Sequence, residues 1–286
     1  MHRFSPARRL LLEAAAAIWL AACATASPVA RGTPIVAGAQ TPDSGAFIIA
    51  ADPRGAEGSP WSFRGTVDGV RYDLTGVLFA PPGPGPFPAV VLSHGSGGSA
   101  QRIADAVGRT MVGWGFVCIA VNYTHAVGVP MGAPGGSSET GASRANVLRA
   151  HMTRELLRRI PYVDNARVAA HGHSLGAYLQ VAWLAAYPRD VRVASQTGGG
   201  IRPPRSRIAP GPTIEEAAEI SVPYQMHHGS ADETVPLSWD ERLASVLREH
   251  GVPNALYVYE GGHLAPRANA LMFARVRAWY AAYDVK

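Results

Sequence analysis

Gly172-His173-Ser174-Leu175-Gly176 follows the short apolar run Val168-Ala169-Ala170 and opens a helical stretch. A strand, a sharp turn and a helix in that order lift a serine hydroxyl out of a sheet as an exposed nucleophile. The flanking glycines suit a strained turn with close strand–helix packing, where side chains have no room. Such a pentapeptide is common by chance, so its meaning depends on partners elsewhere. Downstream, Pro223-Tyr224-Gln225-Met226-His227-His228 leads into Gly229-Ser230-Ala231-Asp232-Glu233-Thr234-Val235-Pro236, which places Asp232 in a loop beyond a predicted strand. A further strand, Ala255-Leu256-Tyr257-Val258-Tyr259, runs into Glu260-Gly261-Gly262-His263. Nucleophile, acid and base then follow in the chain order Ser174, Asp232, His263.

Upstream, the buried-strand pattern Pro88-Ala89-Val90-Val91-Leu92-Ser93 ends in the Gly-rich turn His94-Gly95-Ser96-Gly97-Gly98. Backbone N–H groups there can face a carbonyl oxygen as it becomes negative, so Ser96 and Leu175 are the expected oxyanion donors. Asp164 precedes the strand leading to Ser174, at its wrong end for a site, and is expected to cap the Val163-Asp164-Asn165-Ala166-Arg167 turn. His171 and His173 are two apart and His227 and His228 are adjacent, yet no ligand motif such as HExxH occurs, so no metal site is expected. His94 and His173 are expected to hydrogen-bond the loops that carry the oxyanion donors and the nucleophile.

The Gly-rich turn, GHSLG, HGSADETVP and GGH together resemble the α/β-hydrolase superfamily, most closely its dienelactone hydrolase-like branch. Pro86 to Gly95 is similar to that branch, and HGSADETVP is shared with prolyl oligopeptidase-like enzymes. The resemblance runs from about Val70 to Trp279 and departs at the nucleophile, where dienelactone hydrolases use cysteine and this chain has Ser174. It implies a serine esterase acting on a small-molecule ester through an acyl-enzyme, with no cofactor. A peptidase or amidase of the prolyl oligopeptidase kind is the alternative, although that family carries a large propeller and the residues before Trp61 are too few to build one. A lipid-tethered binding protein that keeps the fold without turnover is the other.

With 286 residues and 47% hydrophobic content, the chain can bury one sizeable core. Arg3, Arg8 and Arg9 precede Leu10-Leu11-Leu12, and Ala14 to Ala22 carries no charge. Residues 1–22 therefore read as a secretory signal, too short for a permanent span. Leu20-Ala21-Ala22-Cys23 is similar to a bacterial lipobox, with Cys23 as the lipidated residue and membrane tether; Ala24-Thr25-Ala26 offers an ordinary cleavage site instead. Either implies an exported protein, periplasmic or membrane-anchored. Cys118, within Phe116 to Val121, reads as a buried core residue and not a reactive thiol. Of the formal charge of +5, three arginines against Glu13 in the signal contribute +2, leaving about +3 without a dense basic block, which gives no reason to expect a nucleic-acid partner.

Residues 23–60, rich in Gly, Ala, Pro and Ser, read as a tether and irregular lead-in to a catalytic domain at 61–286. Strands are expected at Trp61–Gly65 and Tyr72–Phe79, flanking a turn near Asp68-Gly69. Beyond Pro86, strands at 116–121, 168–171, 193–197, 223–228 and 254–259 alternate with helices at 101–112, 143–159, 175–187, 238–250 and 269–283. That alternation predicts an α/β fold, a mostly parallel central sheet with helices on both faces and ligands at the strands' carboxyl ends. Segments 123–141 and 198–212 are expected to overhang the site, with Arg202, Arg205 and Arg207 as candidates for meeting a substrate carboxylate.

Overall fold

The computed structural model describes residues 45–54, 57–67, 70–127, 141–202 and 211–286. The signal, Cys23, the Asp68-Gly69 turn, Arg205, Arg207 and most of both overhanging segments lie outside the described residues. Nine strands form one sheet: β1 Ala46–Ile49, β2 Ser59–Val67, β3 Val70–Phe79, β4 Phe87–Ser93, β5 Val117–Val121, β6 Val163–His173, β7 Val193–Thr197, β8 Tyr224–Gly229 and β9 Asn254–Tyr259, in the spatial order β1-β2-β3-β5-β4-β6-β7-β8-β9. The first three run antiparallel to their neighbours, and β5 through β9 are parallel. The order reverses between β4 and its neighbours β5 and β6, the kind of position where such sheets open a crevice at their carboxyl ends.

Burial explains the sequence of the parallel strands. All residues of β5, β7 and β8 are buried, as is nearly all of β4, which is why they read as continuous apolar runs without alternation. On one face Val90, Leu92, Cys118 and Ala120 meet Ile103, Val107 and Met111 together with Met272, Val276 and Tyr280. These come from α1 Ala100–Ile103, a π-helical turn Ala104–Gly108, α2 Arg109–Val112 and α7 Ala270–Ala282. Cys118 is wholly buried, and burial pushes its thiol far above the ordinary range, as a core residue requires. The remaining helices, α3 Arg144–Leu156, α4 Leu175–Ala186, α5 Ile214–Ala218 and α6 Leu237–Glu249, pack one against the next.

β1, the first helix and β6 differ from the sequence expectation, and α5 forms where no helix is expected. β1 lies inside the stretch read as an irregular lead-in, so the sheet begins at Ala46 and not at Trp61. The helix expected at 101–112 passes through the π turn, where a Cβ on Gly108 would come 2.9 Å from Leu92 Cδ1, bringing the helix close onto β4. β6 starts five residues earlier than expected. Phe87 faces Val163 while Ala89 faces Val168, so residues 164–167 bulge out of register. Asp164 holds that bulge, accepting from Ala166 N at 2.9 Å and from Arg167 Nε at 2.7 Å, the capping role expected of it.

Candidate active site

Ser174 sits between β6 and α4 with φ 56 and ψ −122, a positive φ shared by only one other non-glycine residue among those described. A Cβ on Gly172 would approach Gly176 O to 2.7 Å and Ala177 Cα to 2.8 Å, so the turn admits nothing larger than glycine there. The conformation has a chemical consequence. Serine at a helix N-cap ordinarily turns its oxygen onto the first free N–H groups, whereas Ser174 makes no side-chain cap hydrogen bond. Its backbone N–H donates to Thr197 O at 3.0 Å, fixing the elbow to β7.

Ser174 and His263 line one cavity of about 410 Å³, together with His94, Gly95 to Gly98, Arg102, His173, Thr234, Leu264 and Arg267. His263 Nδ1 donates to Asp232 Oδ2 at 2.6 Å. The carboxylate is closed to solvent and the imidazole 17% exposed. Asp232 Oδ1 accepts from Thr234 N at 2.9 Å and Val235 N at 2.8 Å, so both oxygens are engaged and the carboxylate has one orientation. The adjacent Glu233 is exposed. A Cβ on Gly198, at the end of β7, would come 2.8 Å from His263 Cε1, so the glycine lets that loop lie against the ring.

The Gly-rich turn closes on the same point. A Cβ on Gly95 would come 2.9 Å from Ser174 Cβ. Tyr123 N donates to His94 Nε2 at 3.1 Å, which leaves the proton on Nδ1 to donate to Gly95 O at 2.8 Å. His125 Nε2 donates to His94 O at 3.1 Å, and Gly97 N donates to His125 O at 3.2 Å. Burial and the neighbouring His125 hold His94 at about 3, and burial holds His125 at about 4, so this clamp stays neutral through the working range. His173 Nδ1 and Thr197 Oγ1 share a hydrogen bond of 2.9 Å, and burial followed by the charge of Arg267 pushes His173 well down. His94 thus binds the Gly-rich turn as expected, whereas His173 is bonded to strand β7 and not to a loop.

Of the arginines expected to overhang the cavity, Arg205 and Arg207 lie outside the described residues. Arg102 and Arg267 line it, and Arg202 is not among the described lining residues. Arg267 Nε is buried without a hydrogen-bond partner among the described residues, and burial lowers the guanidinium below its ordinary value. Its sequence signal was only its place, four residues after His263.

The family model of the dienelactone hydrolases matches residues 74–270. No curated protein matches the sequence. Among solved structures, a cold-adapted esterase from an Arctic intertidal metagenomic library superimposes with a TM-score of 0.64 at 18% identity, covering 83% of this chain and 99% of its own. A puromycin-hydrolysing peptidase of Mycobacterium tuberculosis gives 0.62 at 17% identity over 83% of this chain and 45% of its own. An acylaminoacyl peptidase of Pyrococcus horikoshii gives 0.61 at 16% identity over 78% and 41%. This chain therefore spans nearly all of the esterase and less than half of either peptidase. At such identities the likeness is one of fold.

Proposed function

This chain belongs to the dienelactone hydrolase family of α/β hydrolases, and on that premise we propose that it is a serine hydrolase of carboxylic esters, with Ser174 as nucleophile, His263 as base and Asp232 as its acid partner. The observation that carries the reading is the 2.6 Å hydrogen bond from His263 Nδ1 to Asp232, made by a ring that shares a cavity with an uncapped serine. With Nδ1 committed to Asp232, Nε2 is the nitrogen left to take a proton.

The steps follow from those positions. Ser174 Oγ attacks the ester carbonyl carbon as its proton passes to His263 Nε2, and the carbonyl electron pair moves onto oxygen. Asp232 steadies the imidazolium that results. The oxyanion meets the N–H groups of Leu175 and Ser96. Leu175 opens α4, where an N–H has no acceptor inside the helix. In the turn, Gly97 N and Gly98 N are spent on His125 O and Gly95 O, which favours Ser96 as the second donor. Collapse expels the alcohol with the proton from Nε2 and leaves an acyl-Ser174. Water then attacks the acyl carbon as His263 takes its proton, and the acid leaves as that proton passes from Nε2 to Ser174 Oγ.

The two guanidinium groups on the cavity wall favour an ester that carries a negative charge in its acyl or alcohol part. The unpartnered Arg267 Nε supports this, since a carboxylate would satisfy it by a charged pair.

Nitrophenyl esters from acetyl to palmitoyl, presented to the wild type and to Ser174→Ala, test the reading. Turnover by the wild type alone, with a fluorophosphonate probe attached at Ser174, is the expected result. A wild-type protein that takes the probe without ester turnover returns the fold to the peptidase alternative, and one that does neither returns it to the binding alternative.

A further inference from the structure

His228, the last residue but one of β8, stands behind the proposed acid with no solvent contact, and two buried carboxylates face it. Its Nδ1 lies 2.6 Å from Asp240 Oδ2, on α6. Its Nε2 lies 2.8 Å from Val235 O and 3.4 Å from Asp232 Oδ2, the same oxygen that holds His263. A peptide carbonyl and an ionised carboxylate accept hydrogen bonds and cannot donate them. A neutral imidazole carries one N–H, so its bare nitrogen would be pressed against an oxygen lone pair where no water can intervene. A proton on Asp240 would resolve the clash at Nδ1, and burial does raise that carboxyl above its ordinary value; the hydrogen bond and charge of His228, the bond from Gln196 Nε2 to Oδ1 and a Gly199 N–H oppose burial and favour the anion. With Asp240 ionised, both ring nitrogens carry protons.

We propose that His228 is a positioning residue for the hydrolysis argued above, an imidazolium held between Asp240 and the Asp232 loop that keeps Asp232 ionised and turned toward His263. The inference rests on the proposed roles of Ser174, Asp232 and His263. Its physical content is charge balance. Two carboxylates closed to water and bridged by a neutral ring would push a proton onto one of them. A protonated Asp232 would stabilise the imidazolium of His263 far less.

The described tyrosines around the pair do not supply that balance. Tyr178 from α4 lies near both carboxylates and Tyr224 from β8 near Asp240, and burial raises both hydroxyls well above their ordinary values, so they stay neutral. The charge of Arg202 acts on Tyr178, and His263 lies across Asp232. Burial alone would pull His228 down, and the hydrogen bond and charge of Asp240, with Val235 O and Asp232, more than reverse it.

Ring-nitrogen NMR of the full protein, with His228 assigned through His228→Asn, tests its charge without any substrate. Both His228 nitrogens are expected to carry protons from about pH 5 to 8, a range in which a free histidine titrates. His228→Asn keeps an N–H toward Asp240 and removes the charge. It is expected to lower the ester kcat about tenfold or more, with KM changed less than about twofold and the acid limb of kcat/KM moved to higher pH. Asp240→Asn, which keeps an oxygen toward His228 and removes the anion that holds its second proton, is expected to move that limb in the same direction. A His228 with one bare nitrogen at pH 6, or variants with wild-type kcat and pH profile, overturns the proposal. A wild type without ester turnover or probe labelling instead overturns the roles given to Ser174 and His263, and the ring nitrogens still decide the charge on His228.

Discussion

The pair Asp232–His263 and the pair Asp190–His151 are nearly one object at the scale of a hydrogen bond: Nδ1 to Oδ2, 2.6 Å in the first and 2.7 Å in the second. Their surroundings separate them. Asp190 Oδ2 also accepts from Trp183 Nε1 at 2.6 Å, Arg154 Nε donates to its backbone oxygen at 2.6 Å, and the His151 ring stacks on Tyr187 with centroids 3.8 Å apart. That pair staples α3 to the end of α4 and the loop beyond it. His263 instead turns toward a cavity shared with a serine that caps nothing. A histidine and a carboxylate become candidate chemistry when the second ring nitrogen is left facing a substrate-sized space, not when the first makes a short bond.

Substitutions at the two places sharpen this contrast. Asp232→Asn is expected to lower kcat per folded molecule by about 10⁴, read by ester kinetics on protein that a melting curve shows to be folded, since it leaves His263 in the wrong tautomer. Retention of more than a tenth of the activity would remove Asp232 from the chemistry. Arg267→Gln is expected to raise KM for esters bearing a carboxylate about 10- to 100-fold, the scale of one charged hydrogen bond, while neutral esters are unaffected. Equal effects on both classes would break the assignment of an anionic substrate. Asp190→Asn has the smallest expected effect on rate, none per folded molecule. Its cost is in stability, about 2–3 kcal/mol for hydrogen bonds made by a charged group, or a melting point lower by roughly 4–12 °C in a domain of this size. A matching fall in kcat would mean that the two pairs are coupled.

The sheet and the elbow were legible because their signals are local. Buried parallel strands announce themselves as apolar runs, and GHSLG carries its turn in five letters. Short edge elements were not. Ala46–Ile49 follows a Pro/Gly/Ser-rich stretch and alternates over only four residues, and α5 was missed although Thr213-Ile214-Glu215-Glu216 spells the capping box that the structure contains. Position in the chain brought Asp232 and His263 forward as candidates because each follows a strand. Arg267 and the clamp on His228 depend on which side chains from distant elements converge: His228 and Asp240 are 12 residues apart on a strand and a helix, and nothing in either segment states that they touch. Sequence reasoning singled out His227 and His228 as adjacent histidines, a spacing that suggests a metal and conceals that the two rings have separate hydrogen-bond sets, His227 with Tyr259 and Gln225, and His228 with Asp240 and Val235.

The strand order assigns a timetable as well as a place. Ser174 stands at the end of β6, in the middle of the sheet, whereas His263 follows β9, the last strand in the order, which has β8 as its neighbour on one side only. A ribosome delivers the elbow and the Gly-rich turn long before the strand that carries the base. During synthesis the proposed nucleophile therefore remains unactivated until β9 docks. The first appearance of ester turnover on a translating chain would mark the closing of the sheet's far edge.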